Sequence, residues 1–395
     1  MRRFDVAERR VRLSQRHHLS PAHRAGDVVA AAEGVVCLHG TDPATVYLSA
    51  WARLDGLGPA DVDRALYVDR TLVKHLAMRR TLWVFRRELL GVIQAAASQH
   101  VADQERKRIA QDVERAGLVD DGAAWLTQAQ RATLRALDAY GEASATELRD
   151  AVELIRGSIE YAPHKPWGGS FPVAPRVLTT LSAGGQVLRA TNRGNWYSSR
   201  PSWARTAHWL GAKPEQVAER DARPELVRRW LYAFGPATVA DLRWWLGSTL
   251  TAVRATLADV GAVEVDLHGE PGVALADDLD ETPAIEPYAA LLPALDPTTM
   301  GWTKRGWYLG PHREALFDTA GNAGPTVWWD GHIVGGWNQT DGGEVIVALL
   351  EDVGTEAKAA IEAHAARLTA WLDGVRITPR FPSPLWRARA SDRRG

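Results

Sequence analysis

Hydrophobic and polar positions along this chain follow one order that recurs three times. Segments with apolar residues at helical spacing come in groups, and each group precedes a short segment with the alternation of a strand. This order occupies roughly residues 20–90, 123–200 and 222–276. Helices followed by a hairpin are the order of a winged helix-turn-helix unit. The pattern therefore predicts three such units in tandem.

The individual elements follow from the same periodicities. The first unit is predicted to contain helices over 43–54, 59–67 and 70–78, a strand over 80–85 and a long polar helix over 88–116. The second contains helices near 126–139, 144–156 and 173–183, a Pro- and Gly-rich link over 162–169, and a strand over 186–191 with a hairpin turn at 192–195. The third contains helices over 224–234, 238–246 and 249–259 and strands near 262–266 and 272–275.

Two segments with similar sequences, which we call the internal echo, support repeated units. Residues 141–148 read Gly-Glu-Ala-Ser-Ala-Thr-Glu-Leu, and residues 235–242 read Gly-Pro-Ala-Thr-Val-Ala-Asp-Leu. Both have a hydroxyl residue followed three positions later by a carboxylate, which is a helix N-cap signal. The same signal is common in any helix-turn-helix, so the echo is moderate support for a repeat.

The pattern changes near residue 285. A buried-strand-like run covers 291–296, and strand candidates follow at 325–330, 332–337, 344–350 and 375–378, with a helix over 354–372. We expect a mainly α protein with small β-hairpins (α+β), in which tandem winged helix-turn-helix units precede a C-terminal β-rich, barrel-like module. The expected boundaries are 1–120, 121–215, 216–284 and 285–395.

Composition narrows the class of protein. With 395 residues, 46% hydrophobic and 24% charged, the chain is typical of a globular protein with a substantial core. A run of about 18 uncharged apolar residues is missing, which argues against a membrane span, and the arginine-rich N-terminus lacks the apolar core of a secretory signal. One cysteine excludes an internal disulfide and every multi-cysteine zinc site. We therefore expect a cytoplasmic protein without metal or other cofactor.

The charge distribution is more informative than the net charge of −1. Arginines dominate residues 1–24, a second basic group covers 70–87, and residues 264–286 are acidic. A charge run is usually a solvated face, but two basic runs on either side of one polar turn also fit a phosphate-binding surface. The candidates for contact with DNA phosphates are Arg70, Lys74, Arg79, Arg80 and, at the tip of the second hairpin, Arg193.

The polar turn itself is the main candidate for chemistry. The apolar run 35–38 ends at His39, Thr41 and Asp42, and Asp42-Pro43 then begins an amphipathic helix. Asp is a preferred N-cap and Pro a preferred first helical residue, so a purely structural role explains Asp42 well. A cap does not require His39. A histidine, a hydroxyl and a carboxylate at a helix N-terminus can orient a water molecule, and an unperturbed imidazole is a suitable base at neutral pH.

This turn and the following helix resemble a known signature. The segment Leu38-His39-Gly40-Thr41-Asp42-Pro43 and the helix with Tyr47, Leu48, Trp51, Arg53 and Leu54 are similar to the tandem winged-helix DNA glycosylases, the AlkZ/YcaQ-like proteins that excise alkylated and crosslinked purines. That family has Leu-Gln-x-Gln or Leu-Gln-x-Asp before a polar turn and a helix that ends in Arg-Leu. The resemblance places the two catalytic positions on His39 and Thr41, and both family glutamines are replaced here.

The resemblance implies a function and leaves alternatives open. It implies a monomeric, monofunctional glycosylase that acts on double-stranded DNA containing N7- or N3-alkylated purines, with crosslinks as a further substrate. His39 would be the base, Thr41 would orient water, and Asp42 would stabilise the cationic sugar or fix the histidine tautomer. The alternatives are a winged-helix DNA-binding protein or transcription regulator without catalysis, an inactive relative of the glycosylases, and a nucleophilic Cys37, which its apolar surroundings disfavour.

Overall fold

The structure is a computed structural model that describes residues 1–161 and 169–391. Helices make up about 49% and strands about 19%, which is a mixed α/β composition. The chain divides into two compact units. Unit 1 comprises Met1–Ala65, Val84–Arg86 and Pro224–Gly395, and unit 2 comprises Leu66–Trp83 and Arg87–Arg223. Most of the predicted link over 162–169 lies outside the described residues.

The N-terminal part of unit 1 is helical. Its elements are α1 (Val6–Arg16), α2 (Val28–Glu33), β1 (Leu38–His39), α3 (Pro43–Trp51) and α4 (Pro59–Asp63). Asp5, Asp27 and Asp42 cap the first three helices, since each side chain accepts a hydrogen bond from a backbone N–H in the first turn. Every residue of α3 from Ala44 to Trp51 is buried, so this helix lies in the interior of the unit.

Unit 2 contains a helical core with short sheets. Its elements are β2 (Leu72–Ala77), β3 (Thr81–Arg86), α5 (Leu90–Ile93), α6 (Gln99–Arg115), α7 (Gly122–Tyr140), β4 (Glu142–Ser144), α8 (Ala145–Ala151), β5 (Ser158–Tyr161), β6 (Gly169–Pro172), α9 (Val173–Ala183), β7 (Val187–Asn192), β8 (Pro201–Arg205) and α10 (Thr206–Leu210). The division between the units falls within β3. Helices α6, α7 and α9 enclose a core that includes Ile109, Leu126 and Leu178, and the antiparallel sheet β4–β8–β7 packs against it through Trp203.

The predicted helix over 70–78 is wrong. Residues 72–77 form the strand β2, in which buried and half-buried positions alternate after the first two residues. The three-residue link Met78–Arg80 turns the chain sharply, with left-handed φ values of 55° at Arg79 and 59° at Arg80. The apolar spacing of so short a segment fits helix and strand about equally, so the long-range partners of the segment decide its conformation.

The remainder of unit 1 begins within α11 (Glu219–Phe234), which crosses the division at Pro224. It continues with α12 (Val239–Leu246), α13 (Leu250–Asp259), β9 (Ala262–Leu267), β10 (Glu270–Leu275), β11 (Ala289–Leu292), α14 (Pro297–Met300), α15 (Gly306–Leu309), α16 (Arg313–Leu316), β12 (Thr326–Trp329), β13 (His332–Gln339), β14 (Val345–Leu349), α17 (Gly354–Leu372) and α18 (Pro384–Ser391). Strands β9 and β10 pair as an antiparallel hairpin.

The C-terminal sheet is open. Its four strands are antiparallel in the order β11–β12–β13–β14, and α17 packs against β11 and β14. The described residues therefore contain no closed barrel, so the expected barrel-like module is not confirmed. The predicted strand over 375–378 is also absent, since these residues are irregular. Because α17 contacts both outer strands, the sheet buries its apolar face without closing on itself.

The internal echo corresponds to two capping boxes. Ser144 and Glu147 cap α8 reciprocally, and Thr238 and Asp241 cap α12 in the same way. The helices and hairpins of the three predicted units occur close to their expected positions, apart from β2. The winged-helix arrangement itself and the four-part division stay predictions. Among the described residues, no helix is long and apolar enough to cross a membrane.

Candidate active site

The candidate catalytic turn connects β1 to α3 within unit 1. Strand β1 ends at His39, and Asp42 caps α3 by accepting a hydrogen bond from the Ala44 N–H to Oδ1 at 3.3 Å. Pro43 occupies the first turn, where its missing N–H costs nothing. His39 and Asp42 are 4% and 5% exposed. The local sequence therefore holds two ionisable side chains at the entrance to a buried helix.

The hydrogen bonds of His39 restrict its protonation state. Its Nδ1 faces the backbone N–H of Thr41 at 3.4 Å and accepts from it. A neutral ring in this arrangement carries its proton on Nε2. The separation is longer than that of an ordinary hydrogen bond. The contact with the Thr41 amide favours this tautomer.

Thr41 contributes an unsatisfied hydroxyl. Its Oγ1 is buried and has no hydrogen-bond partner among the residues described. Most buried hydroxyls in proteins are hydrogen-bonded, and exceptions often lie where a water or ligand binds. Its carbonyl oxygen accepts from Nη1 of Arg380 at 3.3 Å. The turn therefore has a free donor and acceptor beside His39 and Asp42.

Arg380 is a functional candidate that sequence reasoning missed. Its backbone N–H donates to Asp42 Oδ2 at 3.0 Å across 338 residues of chain, and its exposed side chain lies over the turn. Residue 380 lies in an irregular segment with neighbouring prolines, where no periodicity indicates a partner. Only the fold brings this cation to the candidate site.

The carboxyl of Asp42 has an elevated proton affinity. Burial raises its pKa, and this outweighs the two backbone hydrogen bonds from Arg380 and Ala44 and the charge of Arg380, which lower it. A buried carboxylate with a raised pKa that lines a cavity is a frequent feature of catalytic sites, although structural carboxylates also show it. Its ionised form can accept a proton or stabilise a neighbouring cation.

A small cavity lies directly beside Asp42. Its volume is about 10 Å³, close to the room that one water requires. Besides Asp42 it is lined by Thr45 and Leu48 of α3, by Trp337, Asn338 and Gln339 of β13, and by residues 293–294, 325, 377, 379 and 386. Neither Asn338 nor Gln339 had a signal in the sequence as a site residue.

Gln339 fixes one wall of this cavity. Its Nε2 donates to the carbonyls of Gly343 and Val375 at 3.0 and 2.8 Å, and its Oε1 accepts from the Ile377 N–H at 2.7 Å. Asn338 is also held, since its Nδ2 donates to the Trp386 carbonyl at 3.3 Å. These amides therefore position the irregular segment that carries Arg380 and supply fixed polar groups near Asp42.

A buried ion pair anchors α3 behind the turn. The guanidinium of Arg53 makes two parallel hydrogen bonds of 2.8 Å to the carboxylate of Asp296, and both side chains are fully buried. Ser49 Oγ donates to the same carboxylate at 2.6 Å. Burial raises the pKa of Asp296, but the charge and hydrogen bonds of Arg53 and the Ser49 hydroxyl hold it below its usual value. This network orients the helix whose N-terminus carries the candidate site.

Two of the predicted DNA-binding cations are bound by neutral groups. Nη1 of Arg70 donates to the Trp209 carbonyl at 2.6 Å, and its guanidinium lies 4.0 Å from the centre of the Trp209 ring. Nζ of Lys74 donates to the Tyr67 hydroxyl at 2.7 Å. Because the carbonyl and ring that contact Arg70 carry no charge, its side chain keeps its positive charge.

Two others are paired with carboxylates. Arg80 contacts both oxygens of Glu105, at 2.6 and 2.9 Å, and Nη1 of Arg193 contacts both oxygens of Glu147 at 2.8 Å. The bond from Arg193 is the main cause that lowers the pKa of Glu147 to about 2. A phosphate would have to compete with these carboxylates. The fifth residue, Arg79, is half-buried in the turn between β2 and β3.

Three arginines of the N-terminal run form ion pairs with the acidic segment 264–286. Arg12 and Arg16 both contact Asp278, at 2.7 and 2.6 Å, and Arg3 lies 3.5 Å from Asp266. The two charge runs that the sequence shows as separate features are therefore partners within unit 1. These three arginines are therefore less available to phosphate.

Other candidate chemistry receives little support. Cys37 is fully buried, and burial raises the pKa of its thiol, which makes it unreactive. Within residues 1–161 and 169–391 no group of three or more His, Cys, Asp or Glu side chains is placed to hold a metal ion. A cleft of about 540 Å³ in unit 2, lined among others by Gln94, His100 and Asp103, contains none of the predicted site residues.

Comparisons with known proteins show which family the sequence and the fold are similar to. A profile of the family described as "DNA glycosylase AlkZ-like" matches residues 32–371. A curated protein of Streptomyces sahachiroi named "Interstrand DNA cross-link repair glycosylase" is 30% identical over 221 residues, which are 53% of this chain and 56% of that protein. The matched part thus spans little more than half of that relative.

A solved structure is similar over nearly the whole length. The Streptomyces sahachiroi DNA glycosylase AlkZ superposes with a TM-score of 0.73 at 23% identity, and the match covers 95% of this chain and 99% of that one. At this identity the likeness establishes a shared fold.

Proposed function

The chain belongs to the AlkZ-like DNA glycosylase family, and from this premise we propose that it is a monofunctional DNA glycosylase that hydrolyses the N-glycosidic bond of N7- and N3-alkylated purines. The observation that carries the proposal is the turn His39–Asp42, where an imidazole, an unsatisfied hydroxyl and a carboxylate with a raised pKa lie together at a helix N-terminus. In the sequence, this turn resembles the segment that carries the family's catalytic motif.

The chemistry requires little from the protein besides water and charge. A glycosylase brings the nucleotide out of the helix and delivers water to the sugar carbon. The transition state resembles an oxocarbenium ion, as in other glycoside hydrolysis. A purine alkylated at N7 or N3 already carries positive charge and leaves without strong acid assistance. The site must therefore position a nucleophile and stabilise a cationic sugar.

The three side chains of the turn divide these tasks. We assign His39 to activation of the water through its imidazole ring. The unsatisfied Thr41 hydroxyl orients that water. The Asp42 carboxylate stabilises the cationic sugar, and the cavity beside it has room for about one water. Asp42 is the alternative proton acceptor, because its raised pKa makes it a stronger base than an ordinary aspartate.

Arg380 completes the proposed site. Its guanidinium is exposed and its backbone is fixed to Asp42. We assign it to the phosphate beside the extruded nucleotide, because an arginine can bind phosphate through two parallel hydrogen bonds. In unit 2, Arg70 is the best phosphate contact, since its neutral partner leaves its charge available. Lys74, Arg79, Arg80 and Arg193 are the further candidates of the proposal.

Three finer points belong to the same proposal. The units of the chain form tandem winged helices that bind double-stranded DNA. The protein acts as a monomer in the cytoplasm, without metal or other cofactor. Crosslinked purines are a second substrate, a proposal that the name of the Streptomyces relative supports.

The direct test uses three synthetic duplexes of one sequence. One contains a single N7-methylguanine, one an interstrand purine crosslink, and one is unmodified. We expect the protein to release the methylated base and leave an alkali-labile abasic site, with no release from the unmodified duplex. DNA binding without release from either modified duplex would favour the winged-helix binding protein or the inactive relative instead. Release from the methylated duplex alone would remove crosslinks from the proposal.

A further inference from the structure

The loop between β7 and β8 is an ordered hairpin tip. It comprises residues 193–200, and the side chain of Asn192 holds it together. Nδ2 of Asn192 donates to the carbonyls of Asn195 and Ser198 at 3.0 and 2.9 Å, while its Oδ1 accepts from the Arg200 N–H at 2.8 Å. One amide thus fixes both sides of the loop, so little conformational entropy remains to be lost on binding.

Two aromatic side chains stand at this tip. Tyr197 is 37% exposed and Trp196 is half-buried. Their rings meet edge to face, with centroids 5.4 Å apart and planes at 89°. The Tyr197 hydroxyl accepts from Nδ2 of Asn195 at 2.9 Å. The contact braces the exposed Tyr197 ring, which the tip presents for stacking.

The same loop carries two arginines, one of them paired with a carboxylate. Arg200 is exposed and makes no ion pair with a residue that the structure describes. Arg193 is held at the other side of the loop by Glu147. An aromatic pair next to a free cation is the combination that binds nucleic acid, because bases stack on the rings while the cation holds a phosphate.

We propose that the β7–β8 tip is a base-stacking wedge, in which Tyr197 and Trp196 insert against unstacked bases of duplex DNA and Arg200 binds an adjacent phosphate. The inference rests on the proposed function in so far as DNA is the partner. A wedge of this kind fills the space from which a nucleotide has left the stack. It recognises disturbed stacking rather than sequence, since every base has a stacking face.

The test measures affinity for two duplexes of identical sequence, one intact and one with a single tetrahydrofuran abasic site. The abasic duplex has a gap in its stack, so inserting the wedge costs less unstacking. We expect the protein to bind it about 10-fold more tightly. The double variant W196A/Y197A should lose this preference while the dependence of the affinity on salt is unchanged, because stacking releases no counterions.

Three further variants separate the contributions. Tyr197→Phe should keep the preference, because it removes only the hydroxyl. Tyr140→Ala, at an aromatic side chain that is 56% exposed at the end of α7, should also keep it. Arg200→Gln should reduce the slope of log affinity against log salt by about 0.9. The circular dichroism spectrum of each variant checks that it folds.

Each outcome decides between the two proposals. Equal preference in the protein and in W196A/Y197A overturns the wedge and leaves the proposed function intact. A preference that depends on the tip, combined with no release of methylated base, supports the wedge and overturns the proposed function. A protein that binds neither duplex overturns both.

Discussion

Asp42 is the residue at which structural and catalytic roles can be separated. It caps α3, accepts from the backbone of Arg380 and lines the small cavity. Its pKa is raised by burial. A carboxyl whose folded-state pKa is raised contributes most to stability below its unfolded pKa, and this contribution is lost as pH rises through the folded pKa. At neutral pH the charge of Asp42 is therefore a cost to folding, which suits a residue kept for function.

Asp42→Asn tests this separation. Asn caps a helix about as well as Asp. The variant loses the unfavourable buried charge and one acceptor for the Arg380 N–H, so we expect the free energy of unfolding in urea to change by less than about 1 kcal/mol. Excision of N7-methylguanine should fall by roughly 10- to 1,000-fold because the cationic sugar loses its counter-charge.

The matched control is Asp27→Asn. Asp27 caps α2 through a hydrogen bond to the Ala30 N–H at 2.7 Å and lies outside the candidate site. Excision should be unaffected in this variant. Equal excision by Asp42→Asn and the natural protein would reduce Asp42 to a helix cap.

At the scale of elements, a continuous network of buried hydrogen bonds holds α3 in place. Arg53, two residues beyond the end of α3, donates to Asp296, which caps α14, and to Thr298 Oγ1 at 2.8 Å. The Thr298 hydroxyl lies 2.9 Å from Nδ1 of His17, whose Nε2 lies 3.1 Å from the Ala233 carbonyl. A carbonyl can only accept, so Nε2 carries the proton and Nδ1 accepts from Thr298. The hydrogen bonds of this network all form together only while His17 is neutral.

Asp296→Asn should disrupt this hydrogen-bond network. It leaves the fully buried Arg53 without a counter-charge, and such single removals cost about 3–5 kcal/mol. Urea unfolding of the variant measures the loss. Glu33→Gln is the control, because its pair with Arg86 is 32% and 44% exposed at the two side chains, where pairs contribute about 0–1 kcal/mol. Similar losses in both variants would contradict a special role for the buried pair.

The elements of unit 2 should differ in their electrostatic contribution to DNA binding. Arg70 has a neutral partner, whereas Arg80 and Arg193 have carboxylate partners. Arg70→Gln should reduce the salt slope of duplex binding by about 0.9. Arg80→Gln and Arg193→Gln should change it less, since Glu105 and Glu147 already neutralise those charges. The reverse ranking in a fluorescence-anisotropy titration would place the phosphate surface elsewhere.

At the scale of the whole molecule, buried histidines should make the protein sensitive to mild acid. Burial lowers the pKa of His17 and of His364 to about 3, and that of His75 to about 4. The unfolded chain binds protons at these residues near pH 6.5, so stability is complete above that pH and is lost as pH falls towards 4.

The loss should approach about 1.4 kcal/mol per pH unit for each histidine within that window. Urea midpoints at pH 7.5, 6 and 5 measure it. His364→Leu should flatten the profile, because this ring packs against Trp51 and its buried Nε2 has no hydrogen-bond partner among the described residues. A constant midpoint between pH 7.5 and 5 would contradict the assignment.

Local signals in the sequence account for much of the fold and part of the candidate site. The caps Asp42, Ser144 and Thr238 fix their helices through neighbours within three residues, and such signals are visible in the sequence. The family resemblance drawn from residues 38–54 is confirmed. By contrast, the segment 72–77 is too short for its apolar spacing to distinguish a strand from a helix.

Long-range pairing could not be predicted. Arg380 reaches Asp42 across 338 residues. The acidic partners of Arg12, Arg80 and Arg193 likewise follow from tertiary packing. A charge run in a sequence shows which charges exist, but the fold decides which of them remain available to a ligand.

The central claim is that the turn His39–Asp42 performs base excision. The most direct measurement is the single-turnover rate of N7-methylguanine release from a defined duplex by His39→Ala, compared with the natural protein at saturating enzyme. The account predicts a rate lower by roughly 10²–10⁴-fold, the usual effect of losing a general base, with unchanged duplex affinity. Release at the full rate by His39→Ala would contradict it and place the chemistry elsewhere in the chain.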